Sequence, residues 1–181
     1  MASLTERMLG AAKLDAMIYE EVENDATATP QAMLVVVVAN LAAGVAVLRT
    51  SGIGGLLVAT LISLIGWYVW AFVTYFVGTR FLPGPKTQAD VGQLLRTIGF
   101  SASPGLIRVL GIVPVPGLNS LVSLVAGIWM LVAMVVAVRQ ALDYETTGRA
   151  VAVCAIGFVI NIVVLVVLGA ILGVTVGLPQ P

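Results

Sequence analysis

Apolar residues fall in long runs divided by short polar stretches, and the length and period of each run set the element it can form. Ser3 and Glu6 stand at capping-box spacing, and Leu4, Met8, Ala11, Leu14, Ile18 and Val22 then recur every three or four residues. The pattern predicts one N-terminal amphipathic helix whose polar face carries Glu6, Asp15, Glu20, Glu21 and Glu23 against only Arg7 and Lys13. Anionic cytoplasmic lipid repels such a face, so this helix is expected to dock on protein. Thr29 as N-cap and Pro30 as first helical residue open the next helix, whose run from Met33 to Leu48 is apolar except for Asn40. The glycine-rich turn from Thr50 to Gly55 separates it from a second span, Leu56 to Val77, and the two form a helical hairpin.

Between Arg80 and Arg96 the chain turns polar and Pro83-Gly84-Pro85 stops the helix, after which Val91, Leu94, Leu95 and Ile98 mark a short interfacial helix. The stretch from Ile98 to Val115 is apolar but holds Pro104, Arg108 and Gly111. At helical rise it measures about 27 Å, barely the depth of a ~30 Å hydrocarbon core. Beyond Pro114, Pro116 and Gly117, the runs Leu118 to Val138 and Val151 to Leu178 are a fourth and a fifth span, joined by a polar loop from Arg139 to Ala150. The fold expected is an all-α, polytopic transmembrane helical bundle of five spans, the third short and Pro/Gly-broken. Residues 1–30 form a cytoplasmic amphipathic segment ahead of a five-span domain over residues 31–178.

Charge assigns the sides. If the third segment crosses, Arg7, Lys13, Arg80, Lys86, Arg96, Arg139 and Arg149 collect on one side and only Arg49 on the other, with Arg108 inside the span. A re-entrant third segment would reduce that bias to five against three. The positive-inside rule therefore favours five spans, a cytoplasmic N-terminus and an external C-terminus. Composition agrees with a lipid solvent: 60% of residues are hydrophobic and 10% charged, and mean hydropathy is +1.08, whereas a soluble domain carries roughly a quarter charged residues. Met1 to Gln31 lacks the basic start and apolar core of a signal peptide, so insertion is expected to begin at the first span.

The residue inventory narrows the chemistry. Net charge is zero and no basic tract exists, which excludes nucleic acid as a partner. Cys154 is the single cysteine, so an intrachain disulfide is impossible. There is no histidine, which removes the usual general base and the commonest metal ligand. Metalloprotease and phosphate-loop motifs are missing, and no acid lies inside a span to form a dyad or a proton relay. No cofactor and no enzymatic activity are expected.

Six residues stand out as interaction or structural candidates. Arg108 is the only charge inside a span, and it either snorkels or hydrogen-bonds to carbonyls near Pro104, to Asn161 or Asn40, to a lipid headgroup or to another subunit. Trp67 and Trp70 cluster in the second span with Tyr68, Phe72 and Tyr75, Trp67 and Tyr68 near its centre, either as packing or as the wall of a lipid, quinone or pigment groove. Gly169 and Gly173, followed by Gly177, have the small-residue spacing of a close helix contact, within the monomer or along a homo-oligomer seam.

The segments Trp67-Tyr68-Val69-Trp70-Ala71, Thr74-Tyr75-Phe76-Val77-Gly78-Thr79-Arg80, Leu95-Arg96-Thr97-Ile98-Gly99-Phe100-Ser101-Ala102-Ser103-Pro104 and Ala137-Val138-Arg139-Gln140-Ala141-Leu142-Asp143 resemble the bacterial branch of the YIP (Ypt/Rab-interacting protein) domain family. The likeness runs from Gln31 to Gly173. It implies a five-span protein with a cytosolic N-terminus, in a bacterial cytoplasmic membrane. Eukaryotic members of that family are non-enzymatic adaptors in vesicle traffic, but their Asp-Leu-Tyr-Gly-Pro signature is absent here. The function expected is that of a membrane scaffold or adaptor, an accessory subunit or membrane organiser. Its partners would be membrane lipids and a membrane protein or a second copy of itself. A small transporter or channel with a polar path near Arg108 is the alternative.

Overall fold

The computed structural model describes residues 2–113 and 115–171, with the side chains of residues 45–51, 165 and 167–171 left aside. The described residues form seven α-helices: α1 Leu4–Ala12, α2 Ala16–Asn24, α3 Thr29–Ala43, α4 Val45–Phe76, α5 Val91–Phe100, α6 Leu118–Ala141 and α7 Thr147–Ile171. A π-helical segment Val77–Phe81 extends α4, and a 3-10 helix Ser103–Ile112 follows α5. Four helical stretches, Ala26–Ala43, Gly52–Phe81, Leu118–Ala141 and Thr147–Val164, are long and apolar enough to cross a membrane.

The single N-terminal helix expected from the apolar stripe is two helices. Ser3 and Glu6 do form a reciprocal capping box, but Leu14 takes a φ of 64° and ends α1, after which the Asp15 carboxylate accepts from Met17 N and caps α2. The fold-back buries the stripe: Ala11, Tyr19 and Val22 are fully covered. The first span begins one residue earlier than expected, at Thr29, with Pro30 in its first turn and no side-chain cap. Gly44 separates α3 from α4, and a Cβ there would stand 2.3 Å from the Leu56 side chain. The expected turn over residues 50–55 shrinks to Gly52, whose φ of 62° interrupts α4.

The third apolar segment is not one α-helix. α5 is capped by Asp90, which forms a capping box with Gln93, and gives way to a turn at Ser101. Ser103–Ile112 then winds as a 3-10 helix with Pro104 in its first turn, long for a form that usually persists for only a few residues. Small residues seat α5 and the 3-10 helix: a Cβ on Gly99 of α5 would meet Ala32 of α3 at 2.7 Å, one on Gly105 would meet Met130 and Ala39, and one on Gly111 would meet Asn119 at 2.5 Å.

Two apolar clusters form the core. One joins Leu94, Ile98, Val138, Leu142, Tyr144 and Val153, with Trp67 and Trp70 packed against it. The other joins Ala11, Tyr19, Val22, Ala32, Val35, Phe100 and Ala137, which is where α1 and α2 lie on the bundle. At one end of the bundle the two interhelical loops meet. The Tyr144 hydroxyl donates to the carbonyls of Gly78 (3.1 Å) and Leu82 (2.8 Å), Thr87 Oγ1 donates to Leu142 O (2.7 Å), and Lys86 pairs with Glu145 at 3.6 Å.

Candidate functional site

Long apolar side chains face outward along α4, α6 and α7, including Leu61, Ile65 and Phe72, Leu124 and Ile128, and Phe158 and Ile162. That surface suits hydrocarbon and not water. Within it lie two recesses that share Met130 and Met134.

The first, about 330 Å³, is an open recess among α3, α4, α5, α6 and α7, lined by Asn40, Ser63, Trp67, Trp70, Ser101 and Asn161 among others. Three of the six sequence candidates thus converge here. The polar groups are largely turned inward on the backbone: Asn40 Nδ2 donates to Val36 O (2.8 Å), Ser63 Oγ to Thr60 O (2.8 Å) and Ser101 Oγ to Ile98 O (2.7 Å). The Asn40 bond uses its amide nitrogen and leaves the acceptor capacity of its oxygen unspent. Trp67 Nε1 donates to Leu95 O at 3.1 Å, which resolves how an indole can sit in mid-span. Trp70 Nε1 is buried without a hydrogen-bond partner, as is Thr74 Oγ1 one turn on.

Arg108 does not join that cavity. It lines the second recess, about 470 Å³, between the 3-10 helix and α6, with Ser123, Leu124, Gly127, Ile128, Leu131 and the two shared methionines. The expected internal partners, carbonyls near Pro104 or the amides of Asn161 and Asn40, are not bonded to it. Arg108 makes no hydrogen bond or ion pair among the described residues. Gly169 lies in α7, with its surroundings outside the described side chains, and Gly173 and Gly177 lie outside the described residues altogether.

Sequence reasoning missed a third constellation, the polar seam that fastens α1 and α2. Arg7 is 1% exposed. Its guanidinium donates to Glu21 (2.9 Å), Asp25 (2.7 Å) and Gln31 (2.9 Å). Burial alone would depress the Arg7 pKa, but the Glu21 and Asp25 carboxylates outweigh it and leave it raised. The Thr27 hydroxyl and then Arg7 hold Asp25 down at about 2. Arg96, 8% exposed, donates to the last-turn carbonyls of α2, Val22 O at 2.9 Å and Glu23 O at 3.1 Å, a favourable place for a cation.

Glu23 is 5% exposed and its carboxylate accepts from Gln93 Nε2 at 3.1 Å. Burial first, then the charges of Asp143, Glu20 and Asp90 against the opposing Arg96, push its pKa from 4.5 to about 7. Trp129 Nε1 completes the seam by donating to Ala12 O at 2.7 Å. The available signal was the pair of arginines near polar edges, but a stripe analysis assigns charged positions to solvent. No group of three or more metal-ligating side chains exists among the described residues.

Searches among curated proteins and among solved structures give no match. A family model of the Yip1 domain matches residues 17–168, from α2 to within the last turns of α7 and across both recesses and most of the seam. With that match and four helices fit to cross a bilayer, the chain belongs to the Yip1 domain family and is a multi-pass membrane protein.

Proposed function

We propose that this protein is a non-enzymatic membrane scaffold or adaptor that presents its N-terminal helices as a fixed docking platform. The carrying observation is the seam: buried Arg7 and Arg96 fasten α1 and α2 to one another and to α5, while Asp15, Glu20 and Asn24 stay exposed. A helix pair held only to recruit itself to lipid would not need two buried guanidinium groups spent on its own chain. An acidic outer face on a rigid base fits a basic protein partner, in the same or another membrane protein.

The topology that goes with this reading has five crossings, the third split between α5 and the 3-10 helix. Support comes from contacts: Gly99 lies against Ala32 near the start of α3, Gly105 against Ala39 and Met130, and Gly111 against Asn119 at the start of α6. The two helical pieces, ten residues each, add up to about 35 Å at their respective rises, enough for a ~30 Å core.

A transporter is the second reading, favoured by the cavity with Asn40, Asn161 and the unpartnered Trp70 indole. One comparison separates them. A scaffold purified in mild detergent brings a stoichiometric partner that Arg96→Leu releases, and proteoliposomes of the pure chain carry no solute flux. Flux by the pure chain that Asn161→Leu abolishes would overturn the scaffold reading.

A further inference from the structure

We propose that the recess between the 3-10 helix and α6 is a binding site for one anionic phospholipid, its phosphate paired with Arg108 and one acyl chain laid along α6. The inference starts from the unanswered charge of Arg108. Insertion scales put an arginine at the centre of a span at about 2.5–3.5 kcal/mol unfavourable; the cost falls toward the interface, where Arg108 lies, but a cation within the apolar layer there still favours a counter-charge or an escape to water. Here no acid lies in any of the four long apolar stretches, and Arg108 has no ion pair among the described residues. A counter-charge from outside the described residues fits this position.

The shape of the recess says what brings it. Gly105 beside Met130 and Gly111 beside Asn119 fix the 3-10 helix antiparallel along the first half of α6. Arg108 therefore stands level with the region of Ser123 and Gly127, both of which line the recess with it. Ser123 is about 8 Å from the start of α6 at helical rise, within reach of a headgroup drawn slightly below the surface. Apart from Arg108 and Ser123 the wall is apolar, and it continues past Gly127, Ile128 and Leu131 to Met134, about 16 Å further along the helix.

Gly127 forms an open floor: a Cβ built there meets nothing within 4 Å. Leu124, Ile128 and Leu131 are exposed at its rim, so the recess opens sideways to lipid. A cation at the shallow end of an apolar trough matches an amphiphile. A guanidinium binds phosphate oxygens in a bidentate, charge-assisted way. A free phosphate ion would gain nothing from the trough, and a zwitterionic lipid would leave the net charge unanswered.

The test uses the full chain, purified in mild detergent and reconstituted in nanodiscs of phosphatidylcholine with a minor fraction of phosphatidylglycerol. Native mass spectrometry after delipidation should find one phosphatidylglycerol per chain, with little phosphatidylcholine. Arg108→Gln should lower that occupancy by about tenfold or more, as expected for loss of a charge-assisted pair. Gly127→Leu keeps Arg108 but fills the floor, and it should also expel the lipid while the melting temperature holds, which covers the case in which Arg108→Gln fails to fold. Millimolar inorganic phosphate should displace nothing. The proposal is overturned if Gly127→Leu or a folded Arg108→Gln retains phosphatidylglycerol like the unaltered chain. Equal retention of phosphatidylcholine or displacement by inorganic phosphate would overturn it too, as would a lipid-free dimer or partner complex held through Arg108.

Discussion

Glu23 is a carboxyl group placed where it is better neutral. Its side chain is enclosed by α2, α5 and the Asp143 turn, with Gln93 as donor, Arg96 as the one favourable charge, and Asp143, Glu20 and Asp90 as opposing ones. A carboxyl whose docked pKa of about 7 lies above its ordinary 4.5 contributes stability that is full below 4.5 and is lost as pH rises through 7. Docking of α2 should therefore loosen between about pH 4.5 and pH 7. Glu21 and Asp25 shift the other way, and the stability they add is lost only as pH falls below their ordinary range, outside that window. Amide hydrogen exchange of α2 should speed up with rising pH beyond the intrinsic chemical trend, and Glu23→Gln should abolish the excess. An equal excess in Glu23→Gln would remove Glu23 as its source.

At the scale of elements, what the sequence made legible is what periodicity and length can carry. α6 and α7 start within a few residues of the expected positions because Gly117 and the polar loop interrupt two long apolar runs. The N-terminal break was hidden because Leu14 continues the apolar stripe, and only tertiary packing makes a left-handed leucine acceptable there. The buried arginines were hidden for a related reason: nothing in a single helix announces that its charged position will meet another helix's carbonyls. The broken third segment was legible as broken, from Pro104 and Gly111, but not as a 3-10 helix.

Of the candidate site, Asn161, Trp67 and Trp70 do share a cavity with Asn40, whereas Arg108 faces a separate one. Helix contact through small residues yields a sharp contrast. On Gly99 a methyl group would press on Ala32, including its backbone at 3.1 Å, whereas on Gly127 it would meet open space. Gly99→Ala should destabilise the detergent-solubilised protein by about 1–3 kcal/mol, the usual range for overpacking. Gly127→Ala should leave its melting temperature unchanged or raise it, since alanine favours helix by about 1 kcal/mol. Equal melting temperatures for the two variants would contradict the close approach of α5 to α3.

For the whole molecule, the decisive relation is between the two loops that meet at one end of the bundle. Lys86 follows α4, and Glu145 precedes α7; they approach to 3.6 Å, and Tyr144 reaches back to Gly78 and Leu82. Between these two loops the chain runs through α5, the 3-10 helix and α6. α6 is long and apolar enough to cross once, so under the five-crossing topology proposed above the α5 and 3-10 pair crosses as well, and the two loops share one side. The charge distribution leads to the same reading independently, because a crossing third segment gathers seven of the nine cations on one side. Reporter fusions at Lys86 and Thr147 should both read cytoplasmic, on the side of the N-terminus, and a fusion at the C-terminus should read external. A Thr147 fusion reading external while Lys86 reads cytoplasmic would make the third segment re-entrant. That result would also bring the Arg108 recess toward the cytoplasmic leaflet's side of the count, so the same fusions set which leaflet must supply its lipid.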